Sequence, residues 1–203
     1  METEDPRITQ WRNRSFSWSQ YSSFSYSYQQ WFDKYILGKE QETTPQLRFG
    51  KDFAKAVEDN THTAPVLRYS HVEHEIRVNH PDGFPMVGVF DSWSPSTLEL
   101  GELKTGVKPW TQKRVDEHGQ LTYYAMMLYL KDKIKPEDIK MTLQWLPTGF
   151  HGDFSYDFTN KENPLIHSFE TRRTMLEVLE LLSDIKTARK NMEKYALQRL
   201  KEI

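Results

Sequence analysis

Apolar and polar side chains alternate along residues 66–79, with Val72, His74, Ile76 and Val78 on one side and His71, Glu73, Glu75 and Arg77 on the other. That period of two predicts a half-exposed strand. HPDGFP (80–85) centres a turn on Asp-Gly, and MVGVFDSW (86–93) reads as a second strand. SPSTLELG (94–101) turns the chain again, and LELGELKTG (98–106) predicts a third strand, completing an antiparallel meander. A longer period governs the flanks. QLRFGKDFAKAVEDN (46–60) puts Phe53, Ala56 and Val57 on one stripe, and residues 111–133 line up Val115, Leu121, Tyr124, Ala125 and Leu128. Both read as helices. Past Pro136, IKMTLQWLP (139–147) alternates once more. A helix precedes it, so this strand can join the sheet parallel to a neighbour. Residues 148–164 are turn-rich and fit a hairpin or an ordered loop. Residues 168–203 predict a long helix with Leu176, Leu179, Leu182, Ile185, Met192 and Tyr195 roughly in phase.

The N-terminal pattern is different in kind. Within residues 11–35, ten of 25 positions are Trp, Tyr or Phe, and serine fills much of the rest. Disordered low-complexity chain lacks this aromatic content. Trp18, Tyr21, Tyr28, Trp31, Phe32 and Tyr35 suit helix faces, so one or two short serine-capped helices are expected, ended by Gly38, with a loop over 38–46. The predicted fold class is α/β: a small central mixed sheet flanked by helices, with a helical N-terminal segment and a long C-terminal helix. We expect one domain over 1–203, with its helical part at 1–60, its core at 66–147 and its last helix within 165–203.

Composition narrows the function classes. With 203 residues the chain is long enough for a core without staples. It has no cysteine, which excludes disulfides, cysteine-held zinc or iron–sulfur clusters and a cysteine nucleophile. A net charge of −2 rules out a broad basic field but not a nucleic-acid enzyme, whose phosphate contacts are local. No apolar run approaches the roughly 18 residues that span a bilayer. The start METEDPRITQ is acidic and polar, unlike a secretory signal. A soluble, cytoplasmic protein without a membrane partner is expected.

The candidate chemistry sits at the end of the second strand and in the third. Glu102 and Lys104 are two residues apart in a strand and share a face. If the second and third strands pair, Asp91 approaches Glu102. Two carboxylates beside a lysine make a Mg²⁺ or Mn²⁺ site, and a lysine there can hold water or stabilise charge during phosphodiester hydrolysis. The plain alternative is an exposed cross-strand salt-bridge set worth at most about 1 kcal/mol.

The surrounding residues resemble the PD-(D/E)xK nuclease superfamily, and within it the RecB-like branch that includes phage-type exonucleases. The likeness spans most of residues 15–146. It rests on SWS or SYS within 15–28, FGKDFAKAVE (49–58), VGVFD (87–91), ELKTG (102–106) and Gln120 with Tyr124 in QLTYYA. Phe90 replaces the motif's proline. The resemblance implies Asp91, Glu102 and the Leu103 carbonyl as metal ligands, Lys104 as the catalytic lysine and Gln120 as the residue that positions water, lysine or DNA backbone. Tyr124 would pack behind the site or touch the nucleic acid. Where the family carries a histidine ligand this chain has Ala54, and Glu58, one turn on, is the candidate replacement. Mg²⁺, replaceable by Mn²⁺, is the implied cofactor, with no iron–sulfur cluster. The implied activity is a DNA nuclease, exonuclease before endonuclease, leaving a 5′ phosphate.

Several residues carry weaker readings. Lys108, Lys113 and Arg114 follow the proposed site and could hold a DNA strand; a solvated helix start explains them nearly as well. His71, His74 and His80 invite a zinc reading, but in an alternating strand His71 and His74 point to opposite faces. The aromatic N-terminal segment fits core better than a base-stacking platform. DNA is the expected partner, with a recombination or single-strand-binding protein, or a second copy of the chain, as further candidates. A non-catalytic nucleic-acid-binding protein on the same core is the rival reading.

Overall fold

The computed structural model describes residues 5–40, 42–61, 65–148 and 166–203. Four helices come first: α1 (Pro6–Asn13), α2 (Trp18–Tyr26), α3 (Tyr28–Tyr35) and α4 (Pro45–Glu58). Three strands follow, β1 (His71–Asn79), β2 (Pro85–Ser94) and β3 (Glu99–Gly106). Then come α5 (Gln112–Asp116), α6 (Gly119–Asp132), β4 (Lys140–Pro147), β5 (His167–Thr171) and α7 (Met175–Leu200). The sheet runs β1-β2-β3-β4-β5, with β3 and β4 parallel and the other neighbours antiparallel. The meander, the parallel crossover and the mixed sheet agree with the expectation from residue pattern. Among the described residues no helix is long and apolar enough to cross a membrane.

The N-terminal aromatics fold as core. Ser17 and Ser27 cap α2 and α3 by accepting from Gln20 N and Gln30 N. Trp31 and Phe32 are buried, and Trp31 meets Trp11 edge-on at 5.6 Å and Phe24 at 5.2 Å. Such pairs add about 1 kcal/mol beyond the area they bury. Tyr28 stays 55% exposed, so the buried face is narrower than the aromatic spacing suggests. Helix α1 carries no periodic apolar signal. Asp5 caps it and Pro6 opens it, which is a start signal without a stripe to follow.

Four other boundaries differ from expectation. The strand over 66–79 begins only at His71, because Leu67 N donates to Gln144 Oε1 (2.6 Å) and Tyr69 N to Ser92 Oγ (2.6 Å) rather than to a neighbouring backbone. The helix over 111–133 is two helices, broken at Glu117 and His118. Gly119 explains the break: a Cβ there would lie 2.4 Å from the Trp18 ring, so the backbone itself is the surface on which the indole rests. The stretch expected to open the last helix holds β5, an edge strand antiparallel to β4. Helix α7 begins after Thr174, whose capping box with Glu177 is a legible start signal. The buried stripe of α7 is Val178, Leu181, Ile185, Arg189, Met192 and Ala196, leaving Leu176 and Leu179 exposed. The turn-rich segment lies, beyond Thr148, outside the described residues.

The break between α5 and α6 is stitched to the C-terminal part by Arg173, which is 1% exposed. Its guanidinium donates to Thr122 Oγ1 (2.9 Å), Val115 O (2.8 Å), His118 O (3.3 Å) and Thr171 Oγ1 (2.7 Å). Arg173→Met therefore strands several buried acceptors, and we expect a loss of about 3 kcal/mol in urea unfolding. A loss under about 1 kcal/mol would mean that water reaches these groups.

Candidate active site

Pairing of β2 with β3 stops at Ser92↔Gly101, one step short of Asp91 and Glu102. The strands splay there, and the two carboxyls enter the gap. Asp91 Oδ2 accepts from Leu103 N (2.7 Å), which replaces the missing ladder bond and fixes the side chain. Glu102 is 2% exposed, and Lys104 Nζ donates to its Oε1. Lys104 Nζ also donates to Gln120 Oε1 (2.9 Å). The side-chain set expected from E-x-K spacing is thus assembled, with Glu102 buried and Asp91 and Lys104 half-buried, rather than lying open to solvent as a surface salt bridge.

Gln120 and Tyr124 extend the set along α6. Gln120 Nε2 donates to Tyr124 Oη (2.6 Å), whose hydroxyl donates to Val89 O (2.7 Å). The polarity of this relay is forced. A backbone carbonyl only accepts, so Tyr124 must donate to Val89 and accept from Gln120. The amide NH₂ then faces Tyr124, and the Gln120 oxygen faces Lys104. Of the two roles open to Tyr124, contact with nucleic acid or packing behind the site, the structure favours the second. The ring is 4% exposed and its hydroxyl is engaged on both sides.

The electrostatics follow from burial. Burial, then the Asp91 charge, pushes the Glu102 carboxyl up to about 8, against the opposing pull of Lys104. Burial raises the Asp91 carboxyl too, opposed by Lys104 and the Leu103 N–H. Burial alone would depress the Lys104 ammonium, but Glu102 and Asp91 outweigh it and hold it charged. One ammonium therefore serves two carboxyls, and Glu102 Oε2 is buried without a hydrogen-bond partner. An orphaned carboxylate oxygen next to a second carboxylate suits a hard divalent cation. Among the described residues no three His, Asp or Glu side chains converge as a ligand group. A cation here would take its remaining ligands from backbone oxygen and water, as Mg²⁺ commonly does.

The other predicted residues fall at varying distance from this centre. Helix α4 packs on β3 where a Cβ at Gly50 would meet Thr105 Oγ1 at 3.1 Å, so glycine there lets the helix approach. Glu58, at the end of α4, is half exposed and paired with Lys55 (3.2 Å), outside the Asp91–Glu102 pair. Lys108 is exposed, and Lys113 is exposed with Glu117 3.8 Å away. Arg114 lies over the Trp110 ring at 3.9 Å and donates to the Lys108 and Pro109 carbonyls, so its guanidinium is largely committed.

Two neighbours of the site have no signal in the residue pattern. Glu73 has a positive φ of 50°, which breaks the alternation of β1 and brings the His71 and His74 rings to 5.1 Å, not to opposite faces. Partial burial, then Asp91 and Glu58, raises the Glu73 carboxyl. His118 places its ring edge-on to Trp110 at 4.9 Å, with Nε2 buried and unpartnered. Burial, then the Lys104, Arg173 and Arg114 charges, lowers it to about 4, so it is neutral at pH 7.

The five-stranded mixed sheet flanked by helices, with its long C-terminal helix, is an α/β fold. It superposes on the crystal structure of a candidate exonuclease from Eubacterium rectale with a TM-score of 0.59, at 11% identity, covering 97% of this chain and 87% of that one. A phage-related exonuclease from Haemophilus somnus 129PT aligns at a TM-score of 0.49 and 14% identity, over 87% of this chain and 82% of that one. Neither a protein-family model nor a curated protein matches the chain.

Proposed function

We propose that the protein is a Mg²⁺- or Mn²⁺-dependent DNA nuclease of the PD-(D/E)xK type that works from strand ends. The observation that carries this reading is the Asp91–Glu102–Lys104 group with the buried, unpartnered Glu102 Oε2. The exonuclease-like fold supports it.

Asp91 and Glu102 would hold the cation, with the Leu103 carbonyl as the further ligand that the family resemblance implies. A bound divalent cation supplies neutralisation of the scissile phosphate and a lower pKa for water. Lys104 holds a positive charge beside the carboxylates, where it orients the attacking water and stabilises charge developing on the phosphoryl oxygens. Gln120 keeps the Lys104 ammonium in place through its amide oxygen, and Tyr124 keeps that oxygen turned toward the lysine. Lys108 and Lys113, both exposed, are available to the DNA backbone. Tyr124→Phe releases the amide to flip. We expect kcat to fall about tenfold with KM unchanged. An unaltered kcat would show that packing alone sets the amide.

The test of the function is cleavage of end-labelled linear DNA and closed circular DNA with Mg²⁺ or Mn²⁺. Degradation of the linear form alone supports an end-dependent nuclease. Cutting of the circle makes it an endonuclease on the same core. No metal-dependent cleavage of either, single- or double-stranded, removes the reading. A second reading, nucleic-acid binding without catalysis, draws on Ala54 and on Glu58 paired with Lys55. Mn²⁺ titration separates the two: binding abolished by Asp91→Ala favours the enzyme, and no binding by the unmodified protein favours the binder.

A further inference from the structure

Beside the lysine a groove of about 400 Å³ opens between α2, β2 and α6, within the range of small-ligand sites. Trp18, Ser19, Ser22, Val87, Val89 and Gln120 line it. Val87 and Val89 share the Asp91 face of β2, and Gln120, which lines the groove, accepts from Lys104, so the groove adjoins the site through Gln120. Among the described residues no lysine, arginine, histidine or carboxylate lines it. An oxyanion finds no ionic partner there, whereas Lys104 lies just beyond, bonded to Gln120 of the groove wall.

What the walls offer is a flat ring and hydroxyls. Trp18 is half-buried, with Tyr21 at 5.3 Å, Tyr123 at 6.1 Å and the Gly119 backbone beneath it. The indole is held in place before any ligand arrives. Ser17 and Ser19 sit 3.1 Å apart through their hydroxyls, and Ser19 is exposed at the groove wall.

We propose that this groove is a nucleoside subsite. The uncharged sugar and base next to the scissile phosphate dock in it, the base against Trp18 and its polar edge on the serine hydroxyls, while the phosphate stays at Lys104. A base paired inside a duplex cannot present its face this way, so the strand that enters is unpaired or frayed at its end. The inference rests on the nuclease reading above and narrows its substrate to unpaired DNA.

The experiment uses short single-stranded oligodeoxynucleotides with one abasic site walked along the strand. Binding is read by fluorescence anisotropy with Ca²⁺, and cleavage is read separately with Mg²⁺. We expect binding to weaken about tenfold when the abasic site takes one position next to the cut, and little elsewhere. Trp18→Ala should bind the intact strand as weakly as the abasic one and lose that position dependence, while Trp18→Phe keeps it. Cleavage without any position-dependent penalty overturns the subsite and leaves the nuclease reading standing. A single-position penalty without cleavage does the reverse. The unmodified protein alone decides the first point, so misfolding of Trp18→Ala, checked by its melting curve, does not blunt the test.

Discussion

Lys104→Met lowers metal-dependent cleavage of linear DNA by roughly 10²- to 10³-fold, the usual loss when one preorganised charge is removed from a reacting centre. The lysine donates to Glu102 and to Gln120, and its ammonium is held charged by two buried carboxyls. Cation binding moves the other way. Without the ammonium, Glu102 Oε1 is free as well as Oε2, so Mn²⁺ affinity is maintained or improved. Loss of rate with intact Mn²⁺ binding is the signature of a catalytic lysine. Joint loss of both, with a lowered melting temperature, would mean that Lys104 acts only as the counter-charge that lets Glu102 be buried.

Glu102→Gln abolishes cleavage yet stabilises the metal-free protein at pH 8. The sign follows from linkage. Folding raises the Glu102 carboxyl from 4.5 to about 8. Between those values the folded state keeps a proton that the unfolded state has lost, so stability falls as pH rises through the window. Below pH 4.5 both states are protonated and the effect vanishes. The raised Asp91 carboxyl adds in the same direction. The amide does not titrate, so the substitution removes most of the slope. We expect a gain on the order of 2–3 kcal/mol at pH 8 and little change near pH 4.5. Mg²⁺ should raise the stability of the unmodified protein at pH 8 and leave the variant unmoved. Thermal unfolding at several pH values, with and without Mg²⁺, checks all three. A wild-type stability that rises from about pH 5 to 8 without metal would sink this account of the buried carboxyl.

Much of this site is legible because strand geometry is local. Two residues per repeat place Glu102 and Lys104 on one face, and the short SPST connection between β2 and β3 puts Asp91 beside them. The caps Ser17, Ser27 and Thr44 are local too. Failures share one cause, which is contact between residues far apart in the chain. The split near His118 depends on Trp18 lying over Gly119, about a hundred residues away. The true phase of α7 depends on which helices it covers. At Glu73 a positive φ overrides the alternation that separated His71 from His74. Strand β5 exists because β4 offers it an edge, not because SFET carries a strong strand pattern.

Local pattern was enough to set the order of most elements, the mixed sheet with its parallel crossover, and the trio Asp91, Glu102 and Lys104. Each of these follows from backbone periods and turn chemistry that act within a few residues. Assembly of distant elements was needed to seal Glu102 from water, to share Lys104 between a carboxylate and Gln120, and to engage the Tyr124 hydroxyl on the Val89 carbonyl of β2. Protonation and hydrogen-bond direction are set by whatever surrounds a group. Around Glu102 those surroundings come from β2, β3 and α6, which meet only when the chain is folded.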